Sequence, residues 1–318
     1  MSSDLATTLQ TLYARFGELP GVQIEIHKSL PAITVTNDKA VATVFLQGAQ
    51  VSEYQRHGEK PTLFLSSANR FLPDVPLRGG IPICWPWFGD LKSNLAAISQ
   101  QVEDVENAPA HGFVRNLQWQ LDDIVASPNE TTLTLSLDVT PQTYPAWPYQ
   151  ARLSLEVRVG ESLKLTLSVT NTGLSAFQYS LALHSYLAVD NVEKCYLTGL
   201  EDTVCFNAAE NWLEQSQTDA LNFTEETDLV CPTGPSTVHL IEEDQQGRID
   251  IHSHNLPSWV IWNPWVDKSQ RLSDFNPQDY QKMVCVESAS LLDNAPELAA
   301  GQTVRHYTQI THSQPTKI

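Results

Sequence analysis

Positive charge is scarce in this sequence. Lysine and arginine total 19 against 37 aspartates and glutamates, a formal net charge of −18. The average field of such a chain repels polyanions, which argues against nucleic acid or an anionic membrane as a partner. An anionic small ligand would need a local cluster of basic side chains. Long apolar runs are missing too: none approaches the ~18–20 residues of a membrane span, and no basic stretch followed by an apolar one opens the chain. Cysteine is sparse and unpatterned. Cys84, Cys195, Cys205, Cys231 and Cys285 are odd in number, without CxxC spacing or an adjacent histidine pattern. The expectation is therefore reduced thiols, mostly core filler, in a cytoplasmic protein with no metal site and no cofactor. Helical periodicity is nearly absent after the first residues.

What the chain does have is alternation. At 318 residues, 42% apolar and 18% charged, it can bury a large core. Ser3 to Phe16 spaces Leu5, Leu9, Leu12, Tyr13 and Phe16 as one helical stripe, with Ser3 or Asp4 available as N-cap. Beyond Pro20-Gly21 the period becomes two: Val22, Ile24 and Ile26, then Ile33–Val35 and Val41–Phe45. The clearest strands place Leu133, Leu135, Leu137 and Val139, then Leu153, Leu155, Val157 and Val159, then Leu163, Leu165, Leu167 and Val169 on single faces. Gly160-Glu161 suits a tight hairpin between the last two. Many short strands without biased linkers or repeats predict an all-β fold. The expected organisation is a helical extension over residues 1–20 and one large two-sheet domain over 21–318.

Five segments do not read as strand-and-turn filler. Ala182-Leu183-His184-Ser185-Tyr186 closes a run in which Phe177, Tyr179, Leu181 and Leu183 share one face, so Ala182, His184 and Tyr186 point to the other. A lone strand histidine is more often a structural hydrogen-bonder than a catalyst, and His184 needs partners from elsewhere. Arg78-Gly79-Gly80 opens a stiff stretch ending in Trp85-Pro86-Trp87-Phe88-Gly89. Its glycines permit close backbone approach to a ligand, or positive φ. Arg78 reads as a ligand contact; Trp85 and Phe88 suit a site wall or a core-lining loop equally. His111 and Arg115, four apart around Gly112, suit an anion, a polyol or a plain surface turn. Trp259, Trp262 and Trp265 suit sugar stacking or simple core. In Met283-Val284-Cys285-Val286-Glu287, the two valines share a face and leave Glu287 on the other. A carboxylate ending so apolar a strand is costly unless paired or functional, and burial would lift its pKa toward the range useful for proton transfer.

Together these segments resemble the hexose-6-phosphate mutarotases (glucose-6-phosphate 1-epimerases), a branch of the aldose 1-epimerase group, over roughly residues 40 to 310. The resemblance rests on Arg78-Gly79-Gly80-Ile81-Pro82 with Pro86 and Phe88-Gly89, His111-Gly112-Phe113 with Arg115-Asn116, and His184-Ser185-Tyr186. It continues through Glu226-Thr227-Asp228, Trp262-Asn263-Pro264-Trp265 with Lys268-Ser269-Gln270, and Met283 to Glu287. It implies a galactose mutarotase-like antiparallel β-supersandwich with a sugar cleft on one sheet. By the same resemblance His184 is the general acid, Glu287 the general base, Asp228 the sugar-orienting carboxylate and His111 a second histidine near the ring. Trp262 joins the substrate contacts. Arg78 and Arg115 become the phosphate-contacting pair, with Arg70 a further candidate. The partner implied is a hexose 6-phosphate, with no metal or cofactor required; a monomer is expected separately, because no obvious exposed apolar helix or strand edge calls for a second copy. An epimerase of unphosphorylated aldoses and a non-catalytic carbohydrate-binding or metabolite-sensing protein are the rival readings. One departure is visible: Arg271-Leu272-Ser273 stands where the family often has a small glycine-containing turn.

Overall fold

The computed structural model describes residues 3–243 and 247–313, with side chains from Ala6 onward. The proposed N-cap side chains of Ser3 and Asp4, and Leu5, lie outside that range. The helix Ser3–Phe16 buries Leu12 and Phe16 against the first strand, Val22–His27. Its Tyr13 hydroxyl donates to the Ile24 carbonyl. Among the described residues no helix is long and apolar enough to cross a membrane.

The expected all-β architecture is present. Antiparallel pairing builds a four-stranded sheet from Val22–His27, Leu30–Thr36, Ala40–Phe45 and Gln50–Arg56, then a nine-stranded and an eight-stranded sheet. The nine-stranded sheet contains the strongest alternating segments, Thr131–Val139, Ala151–Val159 and Ser162–Asn171. Gly160-Glu161 makes the expected hairpin between the last two. The inward residues of these strands join Leu181, Leu183, Ile261, Val284 and Val286 of the eight-stranded sheet in one contiguous core.

The other face of the eight-stranded sheet positions the site. Its order is Leu213–Gln217, Thr203–Asn207, Thr227–Cys231, Ser258–Asn263, Met283–Ser290, Leu181–Leu183 and Ile83–Cys84, with Tyr186–Ala188 also pairing to Met283–Ser290. Because side chains alternate across a strand, Ala182, Val230, Val260 and Ala289 form a second, small apolar cluster on the outer face. Residues two positions away share that face: His184, Asp228, Trp262 and Glu287.

Three features differ from the sequence reading. The run from Phe177 is not continuous but breaks into Phe177–Gln178, Leu181–Leu183 and Tyr186–Ala188. At the breaks the backbone amides of Ser180 and His184 donate to the carbonyls of Pro86 and Pro82, residues that have no amide to complete a ladder. Gly79 and Gly80 do adopt positive φ (120° and 65°). The close approach they permit, however, is to the protein's own backbone: a Cβ would lie 2.4 Å from the Phe64 oxygen and 2.2 Å from the Val51 oxygen. Finally, not all cysteines are free thiols. Cys205 and Cys231 oppose each other on neighbouring strands and form a disulfide, while Cys84, Cys195 and Cys285 are free and buried.

Candidate active site

The outer face of the eight-stranded sheet floors a cavity of about 310 Å³, within the size range of small-molecule sites. His184 and Glu287 reach it from adjacent strands. Pairing runs Leu183↔Ser288 on one side of the break and Tyr186↔Cys285 on the other, a register that sets His184 opposite Glu287. Their Nδ1 and Oε1 atoms are 3.3 Å apart, with the imidazole 8% exposed and the carboxyl 1%. The pair is poorly aligned, and His184 Nδ1 and Glu287 Oε2 have no hydrogen-bond partner among the described residues.

Proximity does not make this an ion pair. Burial, with the charges of His111, Arg115 and Arg78, pulls the His184 pKa well below that of an ordinary histidine. Burial, with the negative charge of Asp228, pushes Glu287 well above the ordinary carboxylate range. The two opposed shifts place the shared proton on Glu287 and leave both groups neutral.

The walls add charge and rings. His111, at φ 65°, packs edge-to-face on Phe88 at 4.8 Å and lies 5.6 Å from His184. Burial and then the Arg115 and Arg78 charges lower its pKa to about 3. Asp228 is raised by burial, opposed by Lys268, whose Nζ lies 3.2 Å from Asp228 and 2.9 Å from Glu226. Trp262, directly across from Asp228, meets His184 edge-on at 6.3 Å. Arg78 is held at its backbone by Asn69, which accepts from its amide at 2.8 Å and donates to its carbonyl at 2.9 Å. Its guanidinium is partly buried, is coupled electrostatically to Tyr186, and forms no ion pair among the described residues.

His184, Cys285 and Glu287 each bring a ligand atom within 4.8 Å of the others, a cluster that the sequence does not show because His184 lies about a hundred residues before the other two. The donor set suits a cation poorly. Burial holds the Cys285 thiol and the Glu287 carboxyl protonated, and the nearby positive charges are unfavourable to another.

A model of the family described as aldose 1-epimerase matches residues 31–311. The chain belongs to the aldose 1-epimerase family. A Cenchrus ciliaris protein provisionally named a glucose-6-phosphate 1-epimerase is 31% identical over 262 residues, spanning 79% of this chain and 75% of that relative. A crystal structure from Salmonella typhimurium, provisionally described as a mutarotase, superposes with a TM-score of 0.84 at 27% identity, covering 94% of this chain and 95% of that one. The galactose mutarotase related enzyme of Lactobacillus acidophilus shares the fold, with a TM-score of 0.67 at 13% identity over 89% and 98% of the two chains.

In this aldose 1-epimerase family member the cavity gathers six of the eight residues singled out in the sequence: His184, Glu287, Arg78, His111, Asp228 and Trp262. Two lie elsewhere. Arg70 is 57% exposed and bound through two nitrogens to Asp274, at 2.7 and 2.9 Å, outside the cavity wall. Arg115 is also absent from the wall; its Nη2 donates to the Ala110 carbonyl at 2.8 Å, while its charge is felt by His111 and His184. Of the ambiguous aromatics, Trp85 and Trp259 are core and Phe88 lines the cavity. Sequence reasoning missed Lys268, Tyr186 and Leu272 as wall residues. Lys268 and Tyr186 sat inside motifs already noted, and Leu272 belongs to the departing turn.

Proposed function

We propose that this protein is a hexose-6-phosphate mutarotase, interconverting the α and β anomers of glucose 6-phosphate and related hexose 6-phosphates by opening and reclosing the ring. One observation carries the reading: His184 and Glu287, 3.3 Å apart, share a sugar-sized cavity with Arg78, a guanidinium without a carboxylate partner among the described residues. The two oxygens that exchange protons in mutarotation, the anomeric hydroxyl and the ring oxygen, are bonded to the same carbon. An acid and a base serving them must therefore stand only a few ångströms apart.

Glu287, as carboxylate, takes the proton from the anomeric hydroxyl while protonated His184 donates to the ring oxygen. The C1–O5 bond breaks and leaves an open-chain aldehyde. Rotation about C1–C2 presents the other carbonyl face. His184, now neutral, takes the C5 hydroxyl proton, and Glu287 returns its proton to the carbonyl oxygen as the ring closes. Each positioned proton transfer is typically worth about 10²–10⁴-fold. The neutral pair favoured by burial is the protonation state of the open-chain stage. A phosphate dianion against Arg78 cancels part of the positive field that keeps His184 neutral, and so favours moving the shared proton to His184 for the first step.

Arg78 binds the phosphate, since guanidinium and phosphate geometries match and the charge persists at every relevant pH. Arg115 contributes field from beyond the wall. Asp228, anchored by Lys268, orients sugar hydroxyls, and Trp262 and His111 bound the ring. Residues 21–318 act as one catalytic domain, with residues 1–20 a helical extension to it.

The test is anomer exchange followed by NMR with glucose 6-phosphate and with glucose. Arg78→Ala is expected to raise KM for the phosphorylated sugar by about 10- to 100-fold and to change that for glucose little. Equal effects on both would remove the phosphate assignment.

A further inference from the structure

We propose that Trp212 is a substrate-contacting residue that stacks on the outward side of the bound sugar and covers the cavity mouth; this rests on the reading of the cavity as a hexose phosphate site. Trp212 lines the cavity yet is 45% exposed, whereas Trp262 in the same cavity is 8% exposed. One indole is thus built into the wall and the other stands at the solvent side of the same space. A pyranose offers apolar C–H surface on both faces, the chemistry that aromatic rings accept.

The backbone supports the same conclusion. Asn211 and Trp212 both lie in the left-handed region, at φ 55° and 60°. Asparagine tolerates that region; a bulky aromatic there is an outlier, and such outliers cluster at ligand clamps. The pair sits at the tip of the hairpin formed by Thr203–Asn207 and Leu213–Gln217, after the turn Ala208–Glu210. That turn packs on the strand Thr227–Cys231, which carries Asp228 and Val230 into the cavity. The Cys205–Cys231 disulfide joins the middle of the hairpin's first strand to the same strand. The exposed ring is therefore carried by a segment fixed at its turn and midway along its first strand, which holds it over the sugar with little ordering left to do on binding.

The experiment uses the full-length protein and 1,5-anhydroglucitol 6-phosphate, a hexose phosphate analogue with no anomeric hydroxyl, as a ligand that cannot react. Saturating analogue is expected to protect part of the wild-type tryptophan emission from acrylamide, and most of that protected part is expected to be lost in Trp212→Phe, since the remaining cavity indole, Trp262, is only 8% exposed to begin with. In kinetics with glucose 6-phosphate, Trp212→Ala and Trp212→Gly should raise KM by about tenfold, and Trp212→Phe should recover most of it. Glycine adopts φ 60° without cost, so a loss shared by the glycine variant is a loss of the ring and not of the fold. Calorimetric binding of the analogue without acrylamide protection, or a wild-type KM in Trp212→Ala, would overturn the proposal while leaving the site intact. Failure of wild-type protein to bind the analogue at all would remove the site reading, and the proposal with it.

Discussion

Tyr186 lies flat against His184, with ring centroids 4.7 Å apart and planes 8° from parallel. The Arg78 charge also acts on the hydroxyl of the same side chain, drawing its pKa down against the rise that burial causes. One buried ring therefore fixes the imidazole and is also coupled to the group proposed to take the phosphate. Tyr186→Phe keeps the stack and removes the hydroxyl, so KM for glucose 6-phosphate should rise about three- to tenfold with little change for glucose. Tyr186→Ala also removes the stack, and kcat should fall for both sugars by about tenfold or more. Anomer-exchange kinetics on the two variants separate these effects; a phenylalanine variant indistinguishable from wild type would uncouple Tyr186 from Arg78.

Glu287→Gln separates catalysis from stability. The carboxyl is fully buried and held neutral, so a neutral amide of the same shape should cost stability little at pH 7. Anomer exchange should nevertheless fall by about 10²-fold or more, since the amide cannot take a proton. The sign of the pH effect follows from the raised pKa. Glu287 contributes stability that is complete below the unfolded pKa of ~4.3 and is lost as pH rises through the folded value. The glutamine variant should thus gain on wild type in urea midpoint as pH increases. Retained activity would make Glu287 a structural residue.

The Cys205–Cys231 bridge was not legible in the sequence, where five unpatterned cysteines read as free thiols. Its consequence is countable. Alkylation in denaturant without reductant should label three cysteines, and with reductant all five. Cys231→Ser should destabilise the fold by about 2–4 kcal/mol, through the 26-residue separation it leaves open. Five labelled cysteines without reductant would show the bridge unformed in solution.

What could be read from residues alone was whatever period two encodes. The strands of the main core were visible, and so was the face on which His184 and Glu287 stand, because alternation fixes face whatever the partner strand. Register was not visible. That Leu183 meets Ser288 and Asp228 meets Trp262 depends on turns and crossovers spread over a hundred residues. Arginine placement failed for a related reason. Arg78 stands out beside Gly79-Gly80, but nothing in the sequence removes Arg70 and Arg115 from the site, and only packing shows Arg70 spent on Asp274 and Arg115 on a carbonyl. Trp212 gave no signal, since its positive φ belongs to a hairpin tip without glycine.

The protein should be sensitive to mild acid. His111 is depressed to about 3, His306 to about 4, and His184 well below its ordinary value, each chiefly by burial. In the unfolded chain all three titrate near 6.5. Lowered folded values mean that the unfolded state binds more protons in acid, so the stability they carry is complete above ~6.5 and drains as pH falls toward the folded values. Each histidine contributes up to ~1.4 kcal/mol per pH unit, and the raised Glu287 and Asp228 offset part of the loss. The net expectation is a fall in stability as pH drops from 6 to 5, measured by urea unfolding. His306 lies outside the cavity, donating to the Asn255 carbonyl at 2.7 Å and accepting from the Tyr179 hydroxyl at 2.8 Å. His306→Gln should therefore lower stability at pH 7 yet flatten the acid slope by about one proton's worth. An unchanged slope in that variant would place the acid sensitivity elsewhere.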